Sequence, residues 1–171
     1  MKSKEIKTAN LRLSEIKAED KSDLIKLIEN EEICRTYMVP ENPTDEQKDA
    51  IFGRYRALSA SPDRFAYGIY RENRFIGLIH EVCRDDNGIE LGYIIDPAEK
   101  NKGYATEALS AAITELLLRG FGAVVAGAFE ENIASLRVME KCGMSPTGET
   151  ERIEYRGKTH NCIYMKIKNV K

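Results

Sequence analysis

An α/β (α+β) fold, a single mixed and mostly antiparallel twisted sheet flanked by helices, is predicted by three features of this chain. Three short apolar runs, Phe65 to Tyr70, Phe75 to Cys83 and Ile89 to Ile95, are separated by short turns containing Arg-Glu-Asn-Arg and Asp-Asp-Asn-Gly. Such runs with tight polar turns, one of them Asn-Gly, predict an antiparallel meander. An Ala- and Leu-rich stretch from Thr106 to Leu118 then leads to a fourth run, Ala123 to Phe129. A helical crossover places that strand parallel to the one before it. Finally, the 171 residues contain no repeat, low-complexity tract or linker, so one domain over 1–171 accounts for the chain.

The remaining elements follow in order. Asn10 to Lys17 alternates Leu11 and Leu13 against polar neighbours, which suits a first strand. Ala18 to Asn30 reads as a helix with Leu24, Ile25, Leu27 and Ile28 on its apolar face and Asp20 near its start. Glu31 to Thr44 loses the pattern, and Pro40 and Pro43 mark a loop carrying Glu31, Glu32, Tyr37 and Glu41. Asp45 to Ser59 is helical again, opened by a Thr44/Gln47 capping box. After the central helix, Gly120 and Gly122 fit its stop. Asn132 to Lys141 reads as a short helix ended by Gly143. Glu149 to Tyr155 and Cys162 to Ile167 form a closing hairpin around Arg156-Gly157-Lys158.

Composition narrows the class. The charge count, 26 basic against 28 acidic residues for a net of −2, argues against nucleic acid as an electrostatic partner. No apolar run is long enough to span a bilayer, and the polar start MKSKEIKTAN lacks a signal-peptide core, so a soluble, cytoplasmic protein without a membrane partner is expected. Cys34, Cys83, Cys142 and Cys162 are scattered without a C-x-x-C pair. Free buried thiols are therefore expected rather than disulfides or a metal site.

The junction Asp96 to Ala108, DPAEKNKGYATEA, organises the rest. Pro97 has no N–H for a ladder and ends the strand before it. The helix that follows begins with backbone N–H groups that lack intrahelical partners, at the positive end of its macrodipole. With Gly103 admitting close approach and Lys100 and Lys102 adding charge, such a turn can hold a phosphate, and a pyrophosphate-bearing ligand is expected. Neither the P-loop pattern nor G-x-G-x-x-G is present.

Lys100-x-x-Gly103-x-Ala105 resembles motif A of the GNAT superfamily of acetyl-CoA-dependent N-acetyltransferases, [RQ]-x-x-G-x-[GA]. Lys100 replaces the usual Arg or Gln, which weakens one side-chain contact and leaves the amide cradle intact. A second stretch, Asn132-Ile-Ala-Ser135-Leu-Arg-Val-Met-Glu140-Lys141-Cys-Gly143-Met144, resembles the family's N-x-x-S…E-K-x-G-F, with Met144 in place of the aromatic. From Leu11 to Lys168 the order of elements fits that family, and the ribosomal-protein N-terminal acetyltransferases resemble it most. The resemblance implies a sheet whose central parallel strands splay. It also implies that the backbone of Ile94 and Ile95 meets the pantetheine arm and the acetyl carbonyl, that the amides of Asn101, Lys102, Gly103, Tyr104, Ala105 and Thr106 take the pyrophosphate, and that Asn132 is a polar contact. No metal is called for. A homodimer enters only by analogy.

Acetyl transfer from a thioester needs a neutral amine, a polarised carbonyl and stabilisation of the departing sulfur. An α-amine with a pKa near ~8 is about 10 % neutral at pH 7, a lysine-like amine only about 0.04 %. No Ser-His-Asp or Cys-His arrangement is legible, so direct transfer in a ternary complex is expected. Many relatives use a tyrosine as acid at the position of Met139 here. The ribosomal-protein subgroup implies Ser135 as general acid and Glu154 as general base, the latter in Glu154-Tyr155-Arg-Gly-Lys-Thr-His160. Glu90 is the rival base, His80 reads as core, His160 as a neighbour of the acceptor cleft and Glu107 as structural. The acceptor is expected to be a protein N-terminal α-amine. The alternatives are a polyamine, an amino-acid-like toxin or an aminoglycoside, or a silent acyl-CoA-binding domain motivated by Met139. A nucleotide-binding module is disfavoured by the missing P-loop.

Overall fold

The computed structural model describes residues 2–170, so the two end residues of the expected 1–171 domain lie outside the described residues. Its first strands are short. β1 (Glu5–Lys7) and β2 (Arg12–Ser14) pair as an antiparallel hairpin where one strand over Asn10 to Lys17 is predicted. The Glu107 carboxylate pins the turn, accepting from the Asn10 backbone N at 2.7 Å and from Asn10 Nδ2 at 2.9 Å, which is the structural role expected of it.

The helix expected from Ala18 opens as a 3-10 turn, Ala18–Asp20, and continues as α1 (Lys21–Glu29). Buried Asp20 accepts from Lys17 N at 2.7 Å and from the Tyr70 hydroxyl at 2.5 Å, fastening the helix start to the sheet. Asn30 then interrupts the helix with extended backbone. Its Oδ1 accepts the amides of Glu32 and Ile33 and so caps a further short helix, α2 (Glu31–Cys34), inside the stretch read as loop. α3 (Asp45–Ala60) carries the Thr44/Gln47 capping box in both directions.

The meander is β3 (Ala66–Arg71), β4 (Arg74–Arg84) and β5 (Ile89–Ile95). α4 (Tyr104–Leu118) follows and stops where Gly120 takes a φ of 95°. The amide of Phe121 bonds the Leu116 carbonyl and that of Gly120 the Leu117 carbonyl, a Schellman closure. β6 (Ala123–Phe129), α5 (Ile133–Lys141), β7 (Ser145–Tyr155) and β8 (Lys158–Lys168) complete the chain. β7 starts before the expected Glu149 because a register shift between Pro146 and Thr150 absorbs the proline and left-handed Gly148.

The eight strands of the described residues form one sheet in the order β1-β2-β3-β4-β5-β6-β8-β7, antiparallel except for β5 and β6. Strand alternation gives the sheet two apolar faces. Ile79, Leu91, Val124 and Ala126 pack under Leu109, Ile113 and Leu116 of α4 and Met139 of α5. Leu78 and Ile94 pack under Leu24, Ile28 and Phe52 of the α1–α3 layer. Burying each such side chain contributes about 1.5–3 kcal/mol, so both layers hold the two central strands in place. The four cysteines are free thiols; Cys34 and Cys162 are buried, whereas Cys83 is exposed because it lies where β4 runs past its bulge.

Candidate active site

The loop between β5 and α4 is held from below. The Asp96 side chain accepts the Ala98 amide at 3.0 Å and starts a 3-10 turn, Pro97–Glu99, that brings Glu99 into the interior. There its carboxylate meets Arg74, the Lys102 ammonium at 2.8 Å and Arg71 at 3.9 Å. Asn101 and Gly103 both adopt left-handed backbone, with φ of 62° and 81°. A Cβ at Gly103 would meet nothing within 4 Å, so the space above this turn is open. The first helical bond runs from Glu107 N to Gly103 O, which leaves the amides of Tyr104, Ala105 and Thr106 without intrahelical acceptors. The lysines behave differently from their sequence reading. Lys102 is tied to Glu99, and Lys100 reaches Glu32 of α2 at 2.7 Å.

Next to this turn the sheet opens. β5 and β6 pair only through Ile89↔Val124, Glu90↔Val125 and Leu91↔Ala126, although the strands continue to Ile95 and Phe129. β5 stays paired with β4 from Gly92↔His80 to Ile95↔Gly77. One edge of Gly92–Ile95 is therefore left facing a cavity of about 760 Å³ that runs from the splay to the α4 N-terminus. That volume suits a ligand buried over most of its surface.

Two polar groupings stand on the walls. On the α5 side the Tyr93 hydroxyl lies 2.8 Å from Ser135 Oγ, and burial pushes the phenol up to about 12, so it is protonated. Asn132 caps α5, its Oδ1 accepting the Ser135 amide at 3.2 Å. On the other side the Tyr37 hydroxyl is 2.6 Å from that of Tyr55 and 2.7 Å from His80 Nε2. His80 Nδ1 is 2.9 Å from the Glu81 carbonyl, which only accepts, so Nδ1 carries the proton and Nε2 accepts. Burial holds the His80 imidazole below the usual histidine range.

Ile94, Ile95, Lys100, Asn101, Gly103, Tyr104, Ala105, Thr106, Asn132 and Ser135 all line the cavity, as does Tyr37. Lys102 is not on its wall, and neither is Glu154. Glu154 is exposed, bonded to Thr159, and on the face of the hairpin opposite Tyr155. The Tyr155 hydroxyl donates to the Cys34 carbonyl at 2.6 Å and so moors the hairpin to α2. Glu90, half-buried and also off the wall, is raised by burial and accepts from the Cys83 thiol.

A family model described as "Acetyltransferase (GNAT) domain" matches residues 10–145. The chain belongs to the GNAT acetyltransferase family. It is 28% identical over 162 residues, 90% of each chain, to the "uncharacterized N-acetyltransferase YoaA" of Bacillus subtilis (strain 168). Two solved structures share the fold. One is the acetyltransferase from Salmonella typhimurium said to modify the N-terminal serine of 50S ribosomal subunit protein L7/L12, with TM-score 0.80, 17% identity and 94% and 96% of the two chains covered. The other is spermidine N-acetyltransferase from Vibrio cholerae in complex with CoA and spermine, with TM-score 0.79, 16% identity and 95% and 97% covered.

Within this GNAT chain, Met139 is fully buried in the core, so α5 presents no phenol at the position where many relatives carry one. The phenol beside Ser135 comes instead from β5. Sequence reading missed this pairing, because nothing local joins Tyr93 to Ser135. It also missed Arg137 and Lys141 on the cavity wall, where two cations four apart on a short helix were the available signal. His160 is buried, stacked on Phe129 at 4.2 Å between centroids and bonded to Glu131, which itself lines the cavity.

Proposed function

We propose that this chain transfers the acetyl group of acetyl-CoA to a protein N-terminal α-amine by direct attack in a ternary complex. The observation that carries the reading is the splay of β5 from β6 beside an α4 N-terminus with unpaired amides. A diphosphate fits over Asn101 to Thr106, where open space above Gly103 lets the backbone approach. The free edge of Ile94 and Ile95 offers strand-like hydrogen bonds to an amide-bearing arm, and the NH₂ of Asn132 is the part of that side chain left for a ligand. Lys102 acts through Glu99, shaping the loop, while Lys100 reaches an anion only by leaving Glu32.

Ser135 is the hydrogen-bond donor for the departing sulfur. A serine hydroxyl is a weak acid, and the Tyr93 phenol behind it strengthens its O–H as a donor, which stabilises a thiolate without full proton transfer. Glu154, the base by resemblance, is exposed and bonded to Thr159, so in this reading it acts on the acceptor outside the cavity.

An α-amine is favoured over a polycation because the carboxylates on the cavity wall are already engaged. Glu32 holds Lys100, Glu99 holds Arg74 and Lys102, and Glu131 holds His160. The test is coenzyme A release with peptides of differing N-termini beside spermidine, an aminoglycoside and free amino acids. Turnover on peptides alone is expected. Preference for spermidine would overturn the acceptor, and tight coenzyme A binding without turnover on any amine would make the chain a binding domain.

A further inference from the structure

We propose that the Tyr37 hydroxyl takes the proton from the attacking amine while passing its own to His80 Nε2. The proposal rests on the acetyl-transfer reading above and names the group that deprotonates the acceptor inside the cavity. Its first support is position. The β5–β6 ladder ends at Leu91↔Ala126, and Gly92 is the next residue, at the vertex of the splay. His80 stands opposite Gly92 across β4 and β5, and a Cβ on Gly92 would lie 3.2 Å from His80 Nε2. The absent side chain lets the imidazole lie against the strand at the vertex, and Tyr37, bonded to that same nitrogen, is on the cavity wall.

Its second support is the direction of the hydrogen bonds. Because the Glu81 carbonyl fixes the proton on Nδ1, Nε2 receives the Tyr37 O–H. The Tyr55 hydroxyl then donates to the Tyr37 oxygen, which keeps one further lone pair, and Tyr37 is the member of this chain that lines the cavity. An ammonium N–H placed there completes a chain that ends on a neutral, buried imidazole. The groups bearing on His80 are Tyr37, Tyr55 and Arg54 from the α1–α3 layer and Glu81 beside it; Arg54 opposes the imidazolium and Glu81 favours it. Glu154 and Glu90 lie off the wall and make no contact with this chain of hydroxyls.

The step balances. One N–H bond of the ammonium breaks as a new Tyr37 O–H forms, and the original Tyr37 proton moves to Nε2, giving an imidazolium. The freed nitrogen pair makes the C–N bond, the C–S electron pair leaves with sulfur, the second N–H proton of the tetrahedral adduct passes to that thiolate to give the neutral amide and the thiol, and the imidazolium proton returns through Tyr37 to water.

The test compares wild type, Tyr37→Phe, His80→Gln and the double variant with the best peptide acceptor of the panel. Coenzyme A affinity is measured in parallel. Tyr37→Phe is expected to lower kcat on the order of 10²-fold with coenzyme A affinity unchanged. His80→Gln should do the same and erase the acid limb of the pH–kcat profile, and the double variant should be no slower than either single one. Wild-type kcat in Tyr37→Phe, or additive losses in the double variant, overturns the relay while leaving acetyl transfer intact. A wild-type enzyme silent on every amine removes both. Independently of any variant, ¹⁵N spectra of the two histidines should show His80 as the Nδ1–H tautomer at pH 7. An Nε2–H tautomer or an imidazolium there would sink the proposal.

Discussion

The two halves of the cleft are built from different material. The half beside α4 is backbone: two left-handed residues, three unpaired amides and a strand edge, all within residues 92–106. The half beside α2 is side chain: Tyr37, Tyr55, His80, Glu131, Tyr155 and His160, drawn from separate elements. Backbone can be specified by a local run of sequence, and on the proposed function it takes up what every thioester carrier shares. Side chains gathered from afar are, on the same proposal, what would discriminate between acceptors. The contrast teaches that the first half identifies a family and the second an individual enzyme.

Four experiments break or sharpen that contrast. Gly103→Val should have the largest effect. Left-handed backbone costs a β-branched residue roughly 1–2 kcal/mol, which loosens the turn, and the added methyls enter the open space over it. Coenzyme A affinity measured calorimetrically should fall on the order of 10²-fold, with kcat at saturation nearly kept; an unchanged affinity would mean the diphosphate lies elsewhere.

The second concerns pH. Because burial lowers the His80 pKa, the unfolded chain takes up a proton near ~6.5 that the folded chain refuses. Stability is therefore fully present above that value and is lost as pH falls from it toward the folded pKa. His80→Gln should flatten that part of the melting-temperature profile, and identical slopes in the two proteins would refute it.

Third, Tyr155→Phe removes the mooring on the Cys34 carbonyl. One lost hydrogen bond of this kind costs about 1 kcal/mol, and the acceptor KM should rise while the cofactor KM holds. Equal rises in both would mean the halves are not independent. Smallest of all, Glu154→Gln should lower kcat/KM about threefold through KM. A hundredfold fall in kcat would return the base to Glu154 and displace Tyr37 from that role.

Much of this was legible in sequence, and the physical reason is range. Pro97, Gly103 and Gly120 punctuate elements through constraints that act within a residue or two, so the β5–α4 junction and the end of α4 could be read directly. The meander was legible from alternation and from the Asn-Gly turn, which Asp85 closes by accepting the amides of Asn87 and Gly88 at 2.8 Å. β1, β2 and α2, at three or four residues each, are too short to show a period. The Tyr37 contacts to Tyr55 and His80 span 18 and 43 positions, and no local pattern announces them. Lys102 misled for a related reason. Its charge was visible, but the buried Glu99 that claims it appears only once the 3-10 turn folds inward.

Among the described residues the strand latest in sequence is not at the edge of the sheet: β8 sits between β6 and β7. During translation, β6 presents a bare hydrogen-bonding edge until residues 158–168 clear the ribosome, and bare edges invite pairing with foreign chains. Pairing with β8 along its whole length, from Ala123↔Lys168 to Phe129↔Cys162, is what closes that edge.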